Sequence, residues 1–235
     1  MSDHVVITGA DGGLGKIFIA KFLENPSCQV SGWGLRPQTD AFLASIDARR
    51  YRHLTVDVTD ADQVRSAASA CPTTNLLVNC AGVELKLGFD HPDTAKAAHL
   101  ETSVNFLGCH LVSTAFYDIL ANNRPAKLVN ILSIASLVPI IALGAYSASK
   151  AAAHVMTLCQ REFLTGRGVS VHGVYPGWIN VGMGVGVAVP KDDPEVVVTR
   201  ILAALNDHEL SIFPDAMSQA ILAAHPHLRD MPVVK

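Results

Sequence analysis

The feature that most narrows the possible folds is an alternation kept up along the whole chain, in which short apolar runs are separated by longer segments of helical composition. Residues 5–8, 29–35, 54–57, 76–80, 127–133, 169–175 and 210–213 read as strands, because apolar runs of this length suit a sheet buried on both faces. Between them, residues 14–24, 61–70, 95–121, 146–165 and 194–206 carry the Ala, Leu, Lys and Glu that helices favour. Parallel strands need long crossovers, and those crossovers are right-handed. The expectation is an α/β fold: a doubly wound parallel sheet of about seven strands with helices on both faces. No repeat, charge run or low-complexity linker divides the chain, so residues 1–235 are read as a single domain. Ligands of such sheets lie beyond the carboxyl ends of the strands.

Directly after the first apolar run stands Thr8-Gly9-Ala10-Asp11-Gly12-Gly13-Leu14-Gly15, and a helical pattern begins near Leu14. Glycines let the backbone turn tightly and lie close to a pyrophosphate, and the free N–H groups of a helix start attract that anion. A dinucleotide is the ligand this arrangement suits. The spacing of Gly9, Gly13 and Gly15 is G-x-x-x-G-x-G, which departs from the G-x-G-x-x-G fingerprint.

Farther on, Tyr146-Ser147-Ala148-Ser149-Lys150 opens a helix, so the phenol and the ammonium, four residues apart, project from one face. A free phenol titrates near ~10, and a cation held beside it favours the phenolate and lowers that value. Lys150 is the cation in reach, and a phenol tuned toward the working pH is what general acid–base catalysis needs. Ser133 ends a strand thirteen residues before Tyr146 and carries a hydroxyl able both to donate to and accept from a substrate oxygen.

With these motifs in this order, the sequence resembles the short-chain dehydrogenase/reductase family over roughly residues 5–183. Thr8 to Gly15 looks like the family's TGxxxGxG cofactor loop, and Asn79-Cys80-Ala81-Gly82 like its NNAG turn with Cys in the second place. Asp57, followed by Val58, is similar to the acid that binds adenine, and Asn105 to the family's helix asparagine. Ser133, Tyr146 and Lys150 match the catalytic serine, tyrosine and lysine, and Pro176-Gly177-Trp178-Ile179 resembles the turn that lies against the nicotinamide. The resemblance implies a Rossmann-like domain and a hydride passing between the nicotinamide and a small carbonyl or secondary alcohol. Tyr146 would move the proton, Ser133 would hold the oxygen, Lys150 would bond the ribose, and Asn105 would position a water. Gly9, Gly13, Leu14, Gly15, Asn79, Ala81, Gly82, Pro176, Gly177 and Ile179 would line the cofactor. A catalytically silent dinucleotide sensor of the same fold is the alternative.

The pattern breaks in three places. At the end of the second strand an NAD enzyme of this fold usually carries a carboxylate for the ribose hydroxyls. Here Gly34 takes that place and Arg36 follows, so NADP(H) is favoured and NAD(H) is possible. Past Gly177, Val181 stands where the family commonly has a threonine, and residues 182–190 form a glycine-rich apolar stretch readable as a flap or a plain connector. The C-terminal segment, about 207–235, lacks the family's usual ending.

The formal charge of -3 gives no basic footprint for nucleic acid. The first strand starts too early for a signal sequence, and no membrane-spanning segment is expected, so the protein is expected to be cytoplasmic. The five cysteines, free of CxxC spacing, read as buried thiols with no metal site, and His225 and His227 as a surface tail. Apolar residues on more than one face of 95–121 and 146–165 lead to the expectation of a homodimer or homotetramer.

Overall fold

A computed structural model describes residues 4–38 and 41–229. The strands are β1 (His4–Thr8), β2 (Gln29–Gly34), β3 (Tyr51–Thr55), β4 (Leu76–Asn79), β5 (Ala126–Ile131), β6 (Val169–Val174) and β7 (Ser211–Ile212). The helices are α1 (Gly13–Leu23), α2 (Ala41–Ala44), α3 (Ala61–Ser69), α4 (Thr94–Thr102), α5 (Cys109–Asn122), α6 (Gly144–Thr165), α7 (Pro194–Asn206) and α8 (Ala216–Ala224). All seven strands are parallel, in the order β3-β2-β1-β4-β5-β6-β7. The winding reverses between β1 and β4, and a crevice opens there at the carboxyl edge.

Strand pleating divides the core into two layers. Val5, Ile7 and Val78 face one layer, closed by Phe18 and Ile19 of α1 and by Val197, Val198 and Ile201 of α7. Val6 and Leu77 face the other, closed by Val64 of α3 and by Val112, Phe116 and Leu120 of α5. Consecutive side chains of one strand thus serve opposite layers, so β1 and β4 carry the unbroken apolar runs Val5 to Ile7 and Leu76 to Val78.

The structure moves three sequence-derived boundaries. The third strand is Tyr51–Thr55 rather than 54–57. Its Arg52 and His53 disguise it, and they are tolerated because this is an edge strand with one partner, β2. Asp57 therefore falls in the loop beyond it. The segment 95–121 is not one regular helix: Ser103–Gly108 forms a π-helical turn between α4 and α5. Gly108 brings that turn so close to the loop after β3 that an added Cβ would stand 2.8 Å from the Val58 side chain. The last strand shrinks to Ser211–Ile212.

The run Thr94–Asn122 is long and apolar enough, by length and composition, to cross a membrane, a property not anticipated from the sequence. In the structure its Val112, Phe116 and Leu120 are wholly buried against the sheet. Of the cysteines, Cys28 and Cys71 are buried as expected, Cys80 and Cys109 are partly so, and Cys159 is exposed, contrary to expectation.

Candidate active site

The crevice at the β1/β4 reversal is built first from backbone. The Thr8 hydroxyl, at the end of β1, accepts hydrogen bonds from the Cys80 and Ala81 N–H groups, each at 3.0 Å, and ties the ends of β1 and β4 together. Gly9 then turns with φ +70, a left-handed conformation that glycine adopts without strain. A Cβ on Gly15 would stand 2.2 Å from the Gly9 carbonyl oxygen. Only glycine lets α1 begin this close to the turn. The N-cap of α1 is Gly12, so among the described residues no side chain caps the first N–H groups of α1, and these border a cavity of about 540 Å³. A cradle of this kind, closed to any Cβ and rich in orphan donors, fits the pyrophosphate of a dinucleotide.

At the outer end of the cavity, Gly34 stands where the sequence places no acid, yet a carboxylate arrives from another element. An added Cβ on Gly34 would lie 3.1 Å from the Asp11 carboxyl carbon. Asp11 Oδ2 is in turn 3.6 Å from Arg36 Nε, whose side chain is 80% exposed. The expectation of a site without repelling charge is thus corrected: the glycine loop brings its own anion and pairs it with Arg36. Asp57 also lines the cavity, its Oδ1 accepting from the Thr59 N–H and hydroxyl.

At the inner end, Tyr146 near the start of α6, Lys150 one turn later, and Ser133 just beyond β5 border the same cavity. All three are nearly buried. Ser133 Oγ accepts from the Ala135 N–H at 3.1 Å and its hydroxyl donates to the Pro176 carbonyl at 3.5 Å, which fixes its rotamer. Lys150 Nζ donates to the Ile131 carbonyl at 2.8 Å and lies 5.9 Å from the centroid of the Tyr146 ring. Burial pushes the Tyr146 phenol well above its ordinary value; the Ser133 hydroxyl pulls it back, while Glu84 and Glu101 push it further. Burial likewise pulls the Lys150 ammonium below its ordinary value. The expected depression of the phenol by Lys150 is not met by the protein's own groups, because Lys150 is spent on a carbonyl and desolvation dominates.

Of the residues expected at the site, Asn79 and Asn105 do not border the cavity. Asn79 Nδ2 donates to Ser113 Oγ and Asn130 Oδ1, both at 2.9 Å, and Asn130 continues to Thr157 and Gln160. This buried polar chain locks β4 and β5 to α5 and α6. Asn105 sits in the π-helical turn, where its amide exchanges two hydrogen bonds with the Val83 backbone and donates to Ser149. It clamps the loop after β4 onto α6. Gly9, Gly13, Leu14, Gly15, Arg36, Asp57, Val58, Ala81, Gly82, Pro176, Gly177 and Ile179 all line the cavity.

The far wall is the segment after Ile179. Val181 packs against Gly13, where a Cβ would meet its Cγ2 at 2.2 Å. Lys191 Nζ donates to the Gly184 and Val187 carbonyls, and Lys86 Nζ reaches across to the Met183 carbonyl at 2.7 Å. Sequence reasoning missed Asp11, Glu84, Glu101 and Lys86 as residues of this region. For Glu84 a signal was present, since it stands two residues after Gly82, in the loop beyond a strand's carboxyl end.

The short chain dehydrogenase family profile matches residues 3–189. The chain belongs to that family. Among solved structures, this short chain dehydrogenase is similar to one from Burkholderia cenocepacia in complex with NADP, with a TM-score of 0.88 and 32% identity, covering 96% of this chain and 94% of that one. Among characterised relatives, it is 30% identical to 2-(S)-hydroxypropyl-CoM dehydrogenase 3 of Xanthobacter autotrophicus, over 85% of this chain and 81% of that protein. It is 27% identical to serine 3-dehydrogenase of Agrobacterium fabrum, over 75% and 72% respectively. The relatives to which this dehydrogenase is similar are named for different substrates, and the name of none transfers to it.

Proposed function

We propose that this dehydrogenase interconverts a small carbonyl compound and its alcohol with NADP(H), and that Tyr146 carries the proton. The observation that carries the reading is the convergence of Ser133, Tyr146 and Lys150 at one end of a cavity whose other end is the glycine cradle. A sensor of dinucleotide needs the cradle alone.

The glycine loop and the first N–H groups of α1 would hold the pyrophosphate, Asp57 and Val58 the adenine side, and Pro176 to Ile179 the nicotinamide side. The nicotinamide supplies the carbon that gives or takes the hydride and, when oxidised, a positive ring. Ser133 orients the substrate oxygen by its hydroxyl, and Tyr146 donates a proton to that oxygen in reduction or accepts one in oxidation. Lys150, in leaving the Ile131 carbonyl for a ribose hydroxyl, would bring its charge to bear on the phenol. Its low hydration in this buried position makes that charge count. Asn105 positions Ser149 and the Val83 backbone. The apolar side chains left exposed on α4, the π-helical turn and α6, namely Leu100, Leu107, Val155 and Phe163, suit pairing with a second copy.

A panel of aldehydes and ketones, followed by loss of reduced-cofactor absorbance, tests the activity. Tyr146→Phe is expected to lower kcat by roughly 10³-fold while NADPH affinity stays within about twofold, since the lost group acts in the transition state. A near-native rate would remove Tyr146 from the chemistry. Turnover of no carbonyl, with NADPH still bound, would favour the sensor. Arg36 is the group in place to bond a 2′-phosphate, giving up its pairing with Asp11. Arg36→Ala is therefore expected to weaken NADPH by about tenfold and NADH little. A native preference for NADH would overturn the NADP assignment.

A further inference from the structure

The loop after β4 brings a carboxylate into the cavity that the mechanism does not use. Glu84 lines the same space as Tyr146, Ser133 and Trp178, and its Oε1 is buried without a hydrogen-bond partner among the described residues. Buried acceptors in folded proteins are nearly always satisfied, and an ionised carboxylate oxygen is among the costliest to leave bare. The donors around it are committed elsewhere. Lys86 donates to the Met183 carbonyl and lies 5.6 Å from the centroid of the Trp178 ring. The Leu85 N–H goes to the neighbouring carboxylate, Glu101 Oε1, at 2.8 Å.

We propose that Glu84 is the substrate-recognition residue of this cavity and that it binds a protonated amine carried by the carbonyl or alcohol substrate. The proposal rests on the reading of the cavity as a carbonyl-reduction site and adds to it the class of substrate. An ammonium fits better than a neutral hydroxyl because two carboxylates, Glu84 and the wholly enclosed Glu101, lie close enough to act on each other. Burial and Glu101 push the Glu84 carboxyl up, with Lys86 opposing, and a cation seated against it relieves that burden. The hydrogen bond is charge-assisted, stronger than one between neutral groups. Beside it, Ile140, Leu143 and Trp178 line the cavity and suit the carbon skeleton.

The test is a matched pair of ketones that differ by ammonium against methyl: 3-amino-1-phenylpropan-1-one and butyrophenone. Their affinities are measured by calorimetry against the full chain with saturating NADP+, which forms a complex with a ketone that cannot turn over, for the wild type, Glu84→Gln and Glu84→Asp. Because each variant serves as its own control, the ratio of the two affinities is insensitive to a general loss of folded protein. We expect the wild type to bind the amino ketone at least about tenfold tighter. In Glu84→Gln the ratio falls to within about twofold of unity, and in Glu84→Asp it lies between. A wild-type ratio near one, a ratio that survives in Glu84→Gln, or failure to bind either ketone overturns the proposal. Turnover of butyrophenone and its loss in Tyr146→Phe read the reductase assignment separately, so a Glu84-dependent preference without turnover would sink that assignment and leave amine recognition standing.

Discussion

The two walls of the cavity are both rich in glycine, and they use it for opposite reasons. In the cradle of β1 and α1, an added Cβ on Gly15 or Gly9 runs into backbone, at 2.2 Å and 2.9 Å respectively. On the facing wall an added Cβ on Gly184 also meets backbone, 1.9 Å from the Ile179 carbonyl oxygen, but on either side of it Gly182 and Gly186 have nothing within 4 Å among the described residues and take positive φ, +55 and +81. The first wall is shaped throughout by close packing of main chain, whereas the second is pinned to main chain at Gly184 and otherwise follows a backbone path held by lysines. The lesson is that one wall is fixed along its length by the fold itself and the other by one packed glycine and a few side-chain bonds. The wall made from the fold should hold the constant part of the ligand, and the tethered wall the part that must come and go.

The strongest way to break this contrast is Gly15→Ala. Its Cβ meets a main-chain oxygen that cannot move without unseating Gly9. A stability loss of about 3 kcal/mol or more is expected in denaturant melts, with NADPH binding lost. A loss below about 0.5 kcal/mol would erase the distinction.

Acid should loosen the β6 and β7 edge of the sheet that carries both walls. His172 of β6 is buried, and its imidazole is pushed down to about 4, chiefly by burial, although its Nδ1 bonds the Glu209 carbonyl just before β7. Between that value and the ordinary ~6.5 of an unfolded chain, the unfolded state binds more protons than the native one. Stability from this group is complete above about pH 6.5 and declines as pH falls toward 4, by roughly 2–3 kcal/mol in all. Denaturant melts from pH 7.5 to 4.5 on the wild type and His172→Phe measure it. An equal slope in both proteins would assign the loss elsewhere.

Smaller effects come from the tethers. Lys191→Met removes both bonds to the Gly184 and Val187 carbonyls. It should cost about 1 kcal/mol and make residues 182–190 several-fold faster to cleave in limited proteolysis. Gly182→Ala has space for its methyl, so only the left-handed backbone opposes it, for about 1 kcal/mol. If Gly182→Ala proved as damaging as Gly15→Ala, the facing wall would be as tightly built as the cradle.

What could be read from the chain follows the same division. Val5 to Ile7, the glycine loop and the Tyr146/Lys150 pair were legible because strand, turn and helix adjoin in sequence and one helical turn fixes the pair's direction. Contacts between elements were not. The carboxylate missing at Gly34 comes from Asp11, since β1 and β2 are parallel neighbours whose carboxyl ends meet. Nor does spacing alone tell that Asn105 turns to the Val83 backbone, because the π-helical turn shifts its direction. Tyr51 to Leu54 hid as a strand because edge pairing tolerates charge that a buried strand would not.

The bond from Lys86 to Met183 joins residues 97 positions apart and links the loop after β4 to the far wall. It sets an ammonium against a carbonyl dipole instead of a second ion. Counterions blunt such a pairing far less than they blunt two opposed charges, so passage of substrate past this bridge should be nearly indifferent to ionic strength. The Asp11–Arg36 end of the same cleft, where both partners are charged and Arg36 is exposed, should respond to it. Raising salt from about 0.05 to 0.5 M should therefore shift KM for the phosphorylated nucleotide and leave KM for an uncharged ketone in place.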